Sequence, residues 1–430
     1  MFTLASTRRR AASLLPLVLA LGLTATDIGA AEVLDFEQAL VLAQQRSRQL
    51  AALDAAASAA KDMAGAAGQL PDPTLKAGVN NLPIDGPDRF SLVRDFMTMR
   101  SIGVMQEFTR ADKRAARSAR FEREADAARA ARHLALANLQ RDAAVSWLDR
   151  HFQERMRELL VAQREETKLQ IEAAEAAYRS ARGPQADVFA ARATVAQIED
   201  RIAQSERQIA TATTQLARWV GPAADAPLGP VPAMKSVTMS LSDLETQLAH
   251  HPQIEALLQQ EAMANADADM ARANKRADWS AELMLSQRGP GYSTMVSFNL
   301  SVPLQWDQKN RQDRELAAKL ALAEQARAQR EEVTREHTAE ARAMLQEWAS
   351  DVERLRRYDS VLVPLAGERT KAALAAYRGG AGSLGAVLEA RRGEIDTRMD
   401  RLRLEMDAAR LWAQLNYLVP DGGAVVTHRP

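Results

Sequence analysis

The sequence predicts a mainly α-helical protein with membrane β-strands, built from two tandem helix–strand–strand–helix–helix repeats that contribute long coiled-coil helices and four strands. Three observations predict this fold class. The stretch 178–192 recurs at 377–391, the spans 109–182 and 305–363 contain neither Gly nor Pro, and four short runs alternate apolar with polar residues. A period of two indicates strands, and long spans without helix breakers indicate helices.

The recurring stretch keeps Tyr, Arg, Gly, Val, Ala and Arg at the same positions in both copies, with a fixed offset along the chain. A fixed offset indicates an internal duplication. Each copy places a Gly-containing break between two long helical patterns. We therefore expect two helical hairpins with tips near 182–186 and 379–384. The matching tip residues are Tyr178, Gly183 and Val188 in the first copy and Tyr377, Gly382 and Val387 in the second.

Composition removes several classes of function. The 56 basic and 56 acidic residues cancel, so the whole chain has no charge that would favour nucleic acid. There is no cysteine, which excludes disulfides, thiolate metal ligands and an N-terminal lipidated cysteine. Aromatic residues make up only 5% of the chain while alanine is abundant, and this composition suits long helices.

Residues 1–31 have the pattern of a secretory signal peptide. Arg8, Arg9 and Arg10 precede an apolar run from Leu14 to Leu23, and small residues at 29–31 form a cleavage site. A membrane anchor is the alternative, but this run is shorter than the roughly 20 residues that a spanning helix needs. We expect cleavage and export from the cytoplasm.

The first repeat is expected to cover residues 32–220. A helical pattern over 34–70 ends at Pro71, and alternating runs near 73–81 and 99–108 surround a turn-rich loop, which predicts a β-hairpin. After the break at Gly183 and Pro184, apolar and small residues recur in a heptad pattern, which predicts left-handed coiled-coil packing. These residues are Val188, Ala191, Val195, Ile198, Ile202, Ser205, Ile209, Ala212 and Leu216.

The second repeat is expected at 237–420, after a proline-rich linker at 221–236 and before a loose tail at 421–430. Its strands are predicted near 279–288 and 292–303. Pro364 should kink or interrupt the following helix, because proline removes a backbone donor. Adjacent His250 and His251 point apart on a helix, so we interpret them as a solvated helix end and not as a metal site.

The four predicted strands have one apolar and one polar face, and four strands are too few for a closed barrel, which needs roughly eight. An open sheet of this kind would expose its apolar face and two edges. Association of several copies into one shared barrel removes both problems, with lipid on the apolar face and water on the polar one. A signal peptide combined with membrane strands indicates a bacterial outer membrane, with the helices in the periplasm.

The sequence resembles the TolC family of outer-membrane efflux channels over essentially all of the mature chain. The resemblance rests on the two breaks at 178–191 and 377–390 and on the duplication itself. It also rests on Asp72 with Pro73, the strand 101–108, Lys113 with Arg114, and the run 302–304. Within that family, the segment 72–108 with its run Asp95, Phe96, Met97, Thr98 and Met99 is most similar to channels that are paired with heavy-metal pumps.

The resemblance implies a homotrimer whose 12-stranded barrel continues into a 12-helix periplasmic tunnel. It also implies that the hairpin tips dock a periplasmic adaptor (membrane fusion) protein, which is joined to an inner-membrane RND pump. The tips could equally be simple helical turns. A periplasmic gate would use charged residues near the tips, although a solvated face is the alternative: Arg182, Asp187, Arg192, Arg378 and Glu389. The usual acid before the Val is Asp187 in the first copy but Ala386 in the second.

The expected function is that of a passive exit duct for heavy-metal cations in a tripartite efflux system. The sequence shows no catalytic arrangement, cofactor motif or metal site, so we expect no enzyme activity and no cofactor. Met97, Met99 and Met105 could contact a soft metal ion, but Met99 and Met105 lie in or beside a strand, where barrel packing is sufficient to explain them. The alternative is a periplasmic adaptor or a structural coiled-coil protein of a transport complex, but an adaptor would carry one hairpin and not two.

Overall fold

A computed structural model describes residues 33–237, 244 and 251–418. The expected signal peptide, the tail at 421–430, His250 and most of 238–250 lie outside the described residues. Up to residue 220 the described elements are α1 (Phe36–Arg46), α2 (Arg48–Ala67), β1 (Thr74–Asn80), β2 (Met99–Phe108), α3 (Ala111–Arg179) and α4 (Gln185–Val220).

The remaining part repeats this order after a 3-10 turn at Gly221–Asp225. It contains α5 (Pro252–Asn274), β3 (Trp279–Gln287), β4 (Met295–Ser301), α6 (Gln312–Arg357), a π-helical turn (Tyr358–Leu362), α7 (Val363–Arg378) and α8 (Leu384–Asn416). The α3–α4 pair forms hairpin 1, and the helices from α6 to α8 form hairpin 2. None of the described helices has the length and apolar composition needed to cross a membrane.

The expected single helix at 34–70 is two helices, α1 and α2, and the prediction was wrong at this point. Ser47 takes an extended backbone conformation between them, and its hydroxyl oxygen accepts a hydrogen bond from the Leu50 amide. A serine cap satisfies an amide that the first turn of α2 leaves free. The helical spacing of the apolar residues continues across Ser47, which is why the pattern did not reveal the break.

The four strands form one antiparallel sheet in the order β1-β2-β3-β4. The β2–β3 pairing joins the two repeats, and Phe108 and Trp279 stack at the end of that pair with ring centroids 4.1 Å apart. The register places the apolar residues of all four strands side by side on one face, where their side chains are largely exposed. Two of these cross-strand rows are Leu75, Val104, Leu283 and Phe298, followed by Ala77, Ile102, Leu285 and Val296.

The opposite face of the sheet is polar, and on this side the backbones of β2 and β3 lie close together. Lys76 pairs with Glu282 at 3.2 Å across this face. Gly103 lies between Lys76 and Met284 in the register. A Cβ at Gly103 would stand 2.7 Å from the Leu283 carbonyl oxygen and 3.0 Å from the Met284 Cα. Only glycine allows β3 to approach this closely on the polar side.

The largest apolar core lies midway along the helices and not at the sheet. Buried Phe36, Trp147 and Trp412 form its aromatic centre, with the Phe36 and Trp147 rings 5.4 Å apart. The Trp147 indole donates to the Leu34 carbonyl oxygen at 3.1 Å, and the Trp412 indole donates to the Ser236 carbonyl oxygen at 3.0 Å. The two indole hydrogen bonds therefore hold the residue before α1 and the segment after α4 against the helices.

Hairpin 2 contains a helical irregularity that hairpin 1 lacks. The π-helical turn at 358–362 directly precedes Pro364, which occupies the first turn of α7. The helical path thus changes at the position where proline was expected to disturb it. Arg401 of α8 pairs with Asp359 of this turn at 2.5 Å.

His251 is not a solvated helix end, and this prediction was wrong. Its side chain is only 6% exposed, and its ring stacks on His337 of α6 with centroids 5.0 Å apart. The His251 Nδ1 accepts a hydrogen bond from the Gln253 amide and so caps α5. His337 lies beyond the reach of any local sequence pattern, because α6 brings it from 86 positions away in the chain.

We expect stability to depend on the protonation of His251. Burial lowers the pKa of His251 to about 4, and the neighbouring His337 and Arg141 side chains act in the same direction. In the unfolded chain the pKa is about 6.5, so the unfolded state binds the proton more readily. The stabilisation from neutral His251, about 3 kcal/mol, should be complete above pH 6.5 and lost progressively as the pH falls to about 4.

The measurement is the free energy of unfolding of the detergent-purified protein between pH 7 and pH 4. His251→Asn is the matched control, because asparagine keeps an N-cap acceptor and does not titrate. The carboxylates Glu255 and Glu340, which lie beside His133 and His337, stay unchanged in this variant. Parallel pH curves for the two proteins would contradict the assignment.

Gly103→Ala should weaken the sheet by about 2 kcal/mol, because the added Cβ would force β2 away from β3. Gly78→Ala on β1 is the matched control, since its Cβ would meet only the Ser101 Oγ at 3.8 Å. The measurement is the thermal unfolding midpoint of both detergent-purified variants. Equal midpoints would show that β2 does not require glycine at this position.

Candidate functional site: the two hairpin tips

The two hairpin tips share three backbone hydrogen bonds at the same offset. These N–H to carbonyl bonds end the incoming helix, and hairpin 2 adds a fourth bond from the Gly382 amide to the Ala376 carbonyl oxygen. In hairpin 1 the donors are Ser180, Ala181 and Arg182, and the acceptors are Ala176, Tyr178 and Ala177. In hairpin 2 the donors are Gly379, Gly380 and Ala381, and the acceptors are Ala375, Tyr377 and Ala376. The duplication therefore extends to the geometry of the turns.

Each tip contains one residue in the left-handed conformation, Ala181 with φ 57° and Gly380 with φ 76°. A left-handed residue commonly ends a helix, and glycine adopts this conformation at lower cost than alanine. Gly183 and Gly382 follow two residues later. A Cβ at either would lie 3.1 Å from the Cβ of an alanine in the incoming helix. The Gly shared by both copies is thus required by a close approach.

The two repeated valines are buried between the hairpins. Val188 and Val387 belong to one apolar cluster with Ala174, Ala191, Leu384 and Leu388. The shared Val therefore packs hairpin 1 against hairpin 2. The two repeated tyrosines differ, because Tyr178 is exposed while Tyr377 packs partly buried against this cluster.

The structure does not gather the candidate gate residues into one site within a chain. Arg192 pairs with Glu175 at 2.8 Å inside hairpin 1, and Glu389 pairs with Arg369 at 3.2 Å inside hairpin 2. The Arg182 guanidinium donates to the Ser180 hydroxyl oxygen at 3.1 Å. Arg378 is exposed, and Asp187 is partly buried in the first turn of α4.

Sequence reasoning missed a buried carboxylate, Glu394, which is 4% exposed. Its oxygens contact Arg398 at 2.7 Å and Arg391 at 3.4 Å. Arg391 also pairs with Glu166 of α3 at 2.6 Å, so this chain of charges joins α8 to α3. Gly367 of α7 leaves room for the carboxylate, because a Cβ there would lie 3.9 Å from Glu394 Oε1.

The duplication contained a signal for Glu394. With the offset of the two tips, Glu394 corresponds to Val195, which lies in the apolar heptad stripe of α4. A carboxylate at a position that is apolar in the other copy predicts a buried charge with partners. Its partners Arg391 and Arg398 lie three residues before it and four residues after it on α8, whereas the link from Arg391 to Glu166 of α3 follows only from the packing of the two hairpins.

The side chains on the described surfaces can form apolar contacts and ion pairs. The described residues contain no group of three or more His, Cys, Asp or Glu side chains placed to hold a metal ion. A function of this protein therefore has to involve the two faces of the sheet, one polar and one apolar, and the two hairpin tips.

Neither a protein-family model nor a curated protein sequence matches this chain. Solved structures do. A membrane protein from Pseudomonas aeruginosa has a TM-score of 0.77 at 17% identity, over 91% of this chain and 92% of that one. The outer-membrane protein VceC from Vibrio cholerae has a TM-score of 0.73 at 18% identity, over 89% and 95%. The transmembrane channel CusC has a TM-score of 0.72 at 16% identity, over 90% and 92%.

The chain therefore has the fold of outer-membrane channel proteins, along nearly its whole length. This confirms the predicted fold class, with long helical hairpins and four membrane-type strands. It is also the fold that the resemblance to the TolC family implied.

Glu394→Gln should lower the free energy of unfolding by about 2 kcal/mol, because it leaves half-buried Arg398 without its carboxylate partner and removes one of the two carboxylates that Arg391 contacts. Glu175→Gln is the matched control, since it removes the same charge from an exposed pair and should cost less than about 0.5 kcal/mol. Urea unfolding followed by helical circular dichroism compares the two variants. Equal losses would show that Glu394 is no more coupled than a surface carboxylate.

Proposed function

We propose that this protein is a homotrimeric outer-membrane channel of the TolC family, acting as the exit duct of a tripartite efflux system. The observation that carries the proposal is the one-sided apolar sheet with two free edges, joined at one end to very long helical hairpins. A duct needs no catalytic group, because an inner-membrane pump supplies the energy. The proposal accordingly assigns no enzyme activity.

The dimensions of the sheet suit an outer membrane. The ten residues of β2 rise about 33 Å at about 3.3 Å per residue. Tilted by about 40°, such a strand covers about 25 Å, which is the height of the apolar band of membrane barrels. Three copies supply twelve strands, and β4 of each copy can pair with β1 of the next.

Aromatic side chains lie at both ends of the apolar face. Phe108 and Trp279 stack at the helical end, where Trp306 is also strongly exposed. Phe90 and Tyr292 are exposed in the loops at the other end. Two aromatic girdles of this kind mark the membrane–water interfaces of barrels. We propose that the helices project from this sheet into the periplasm.

The hairpin tips are the parts of the chain farthest from the sheet. The 69 residues of α3 correspond to a length of about 100 Å at 1.5 Å per residue. We propose that the tips meet a periplasmic adaptor protein, itself bound to an inner-membrane RND pump. Tyr178, Gly183, Tyr377 and Gly382 would form this docking surface, with Val188 and Val387 supporting it from within. Their neighbours Arg182, Asp187, Arg192, Arg378 and Glu389 would contribute to a periplasmic gate.

We propose heavy-metal cations as the cargo. The support is the resemblance of the run 95–99 to channels paired with heavy-metal pumps. In the fold this run is a capped turn, because the Asp95 carboxylate accepts hydrogen bonds from the Met97 and Thr98 amides at 3.0 Å. Selectivity would then reside in the pump and adaptor, with the duct passing what they deliver.

The decisive experiment for the channel is membrane fractionation combined with a denaturing gel of heated and unheated samples. A trimer in the outer membrane that dissociates on heating is the expected result. A soluble periplasmic protein, or one attached to the inner membrane, would overturn the proposal and favour an adaptor.

Replacing Gly183 and Gly382 together by valine should abolish metal resistance in the native host while the trimer stays intact. The new side chains would press on Ala177 and Ala376 and reshape both tips. Gly65→Val is the matched control, because nothing lies within 4 Å of its Cβ. Resistance is compared with the amount of trimer in the outer membrane. Normal resistance in the double variant would contradict docking at the tips.

A further inference from the structure

The methionines of the sheet all lie on its polar face. The register between the strands places four of them on the same side as Lys76 and Glu282: Met99, Met105, Met284 and Met295. Every other residue of this face in the four described strands is glycine or polar, and the apolar face of these strands contains no methionine. Methionine is an apolar side chain, so the need for a lipid-facing surface does not explain its place here.

Two of these methionines and one carboxylate lie together, and we call Met105, Glu282 and Met284 the thioether group. Met105 lies directly opposite Glu282 in the β2–β3 register, and Met284 follows Glu282 on the same face. Opposite Cβ atoms are about 5 Å apart and diagonal ones about 7 Å apart, which is within the reach of long side chains. Gly103 lies opposite Met284 and has no side chain, so the fourth corner of the group is open to both thioethers.

The carboxylate of the thioether group has one oxygen without a partner. The Glu282 side chain is 15% exposed, and its Oε2 contacts the Lys76 Nζ at 3.2 Å. Its Oε1 is buried and accepts no hydrogen bond from the described residues. A buried acceptor without a partner costs free energy, and a carboxylate oxygen can only accept. This oxygen is therefore available to a donor or to a cation.

The ligand atoms of the thioether group determine which cation fits. Thioether sulfurs are soft ligands that select Cu(I), and Ag(I) is soft in the same way. Zinc instead takes thiolate, imidazole and carboxylate ligands, and the described residues contain no cluster of three side chains that could supply them. The group therefore fits a soft monovalent cation better than a divalent one.

The two remaining methionines of the polar face lie outside this group. The Arg288 Nη2 donates to the Met295 Sδ at 3.4 Å, and a guanidinium beside the sulfur repels a cation. Met99 is the first residue of β2, at the end of the strand away from the helices. The site is therefore restricted to the thioether group.

Resting on the channel of the proposed function, we propose that Met105, Glu282 and Met284 bind Cu(I) or Ag(I) on the water-filled side of the barrel. This assigns soft monovalent cations as the class of heavy metal that the duct carries. Each copy has its own thioether group at the same height, so a trimer presents three of them around the lumen. The duct then takes part in recognising the cargo, together with the pump and the adaptor.

Silver binding tests the site, because Ag(I) needs no protection from air. The purified trimer is dialysed to equilibrium against silver nitrate in chloride-free buffer, and bound silver is counted per chain. One Ag(I) per chain is expected. Met105→Leu with Met284→Leu removes both sulfurs, keeps the apolar volume and should lose this ion. Met263→Leu with Met270→Leu is the matched control, because both are half-buried methionines of α5, and it should retain the ion.

Zn(II) is titrated in parallel, and its binding should not change when Met105 and Met284 are replaced. An intact trimer that binds no silver, or that still binds it in the Met105 and Met284 variant, would overturn the inference and leave the channel proposal standing. Equal loss in the α5 variant would also overturn it, because silver would then bind to methionine in general. Loss of Zn(II) together with silver would contradict the assignment of a soft cation. Absence of a trimer on unheated gels would refute the proposed function, and the lumenal site with it.

Discussion

The uncovered backbone and side chains of the four-stranded sheet impose the strongest constraint on this chain. Strands β1 and β4 are its edges, so each presents a row of backbone N–H and carbonyl groups without a strand partner in the described residues. In the described residues the apolar side chains of the sheet are largely exposed, and the main core lies midway along the helices. A sheet of this kind is stable only where further strands and an apolar medium complete it.

Periodicity predicted the strands and the long helices well, because burial on one face repeats along each element. The alternation of Ile102 and Val104 with polar residues is an example, since the observed register places both on the apolar face. Features that depend on a partner from a distant part of the chain cannot be predicted from periodicity. His251 was misread because His337 of α6 covers it, and Ser47 was overlooked because a cap does not interrupt apolar spacing.

The tips show why a repeated residue need not be a binding residue. Val188 and Val387 recur because each has to fill the contact between the hairpins, and burial removes both from any partner's reach. The glycines recur because the turn brings them against an alanine of the incoming helix. Packing is therefore the first explanation for the residues that recur in both copies.

The π-helical turn at 358–362 gives the two hairpins different mechanical properties. Hairpin 1 reaches its tip through α3, which is one unbroken α-helix and therefore stiff. Hairpin 2 reaches its tip through a wider turn followed by Pro364, where the regular hydrogen-bond ladder is interrupted. A force applied to both tips would bend hairpin 2 at this point and leave hairpin 1 straight. This interruption lies about two-thirds of the way from the sheet to the second tip, where the Arg401–Asp359 pair joins the turn to α8.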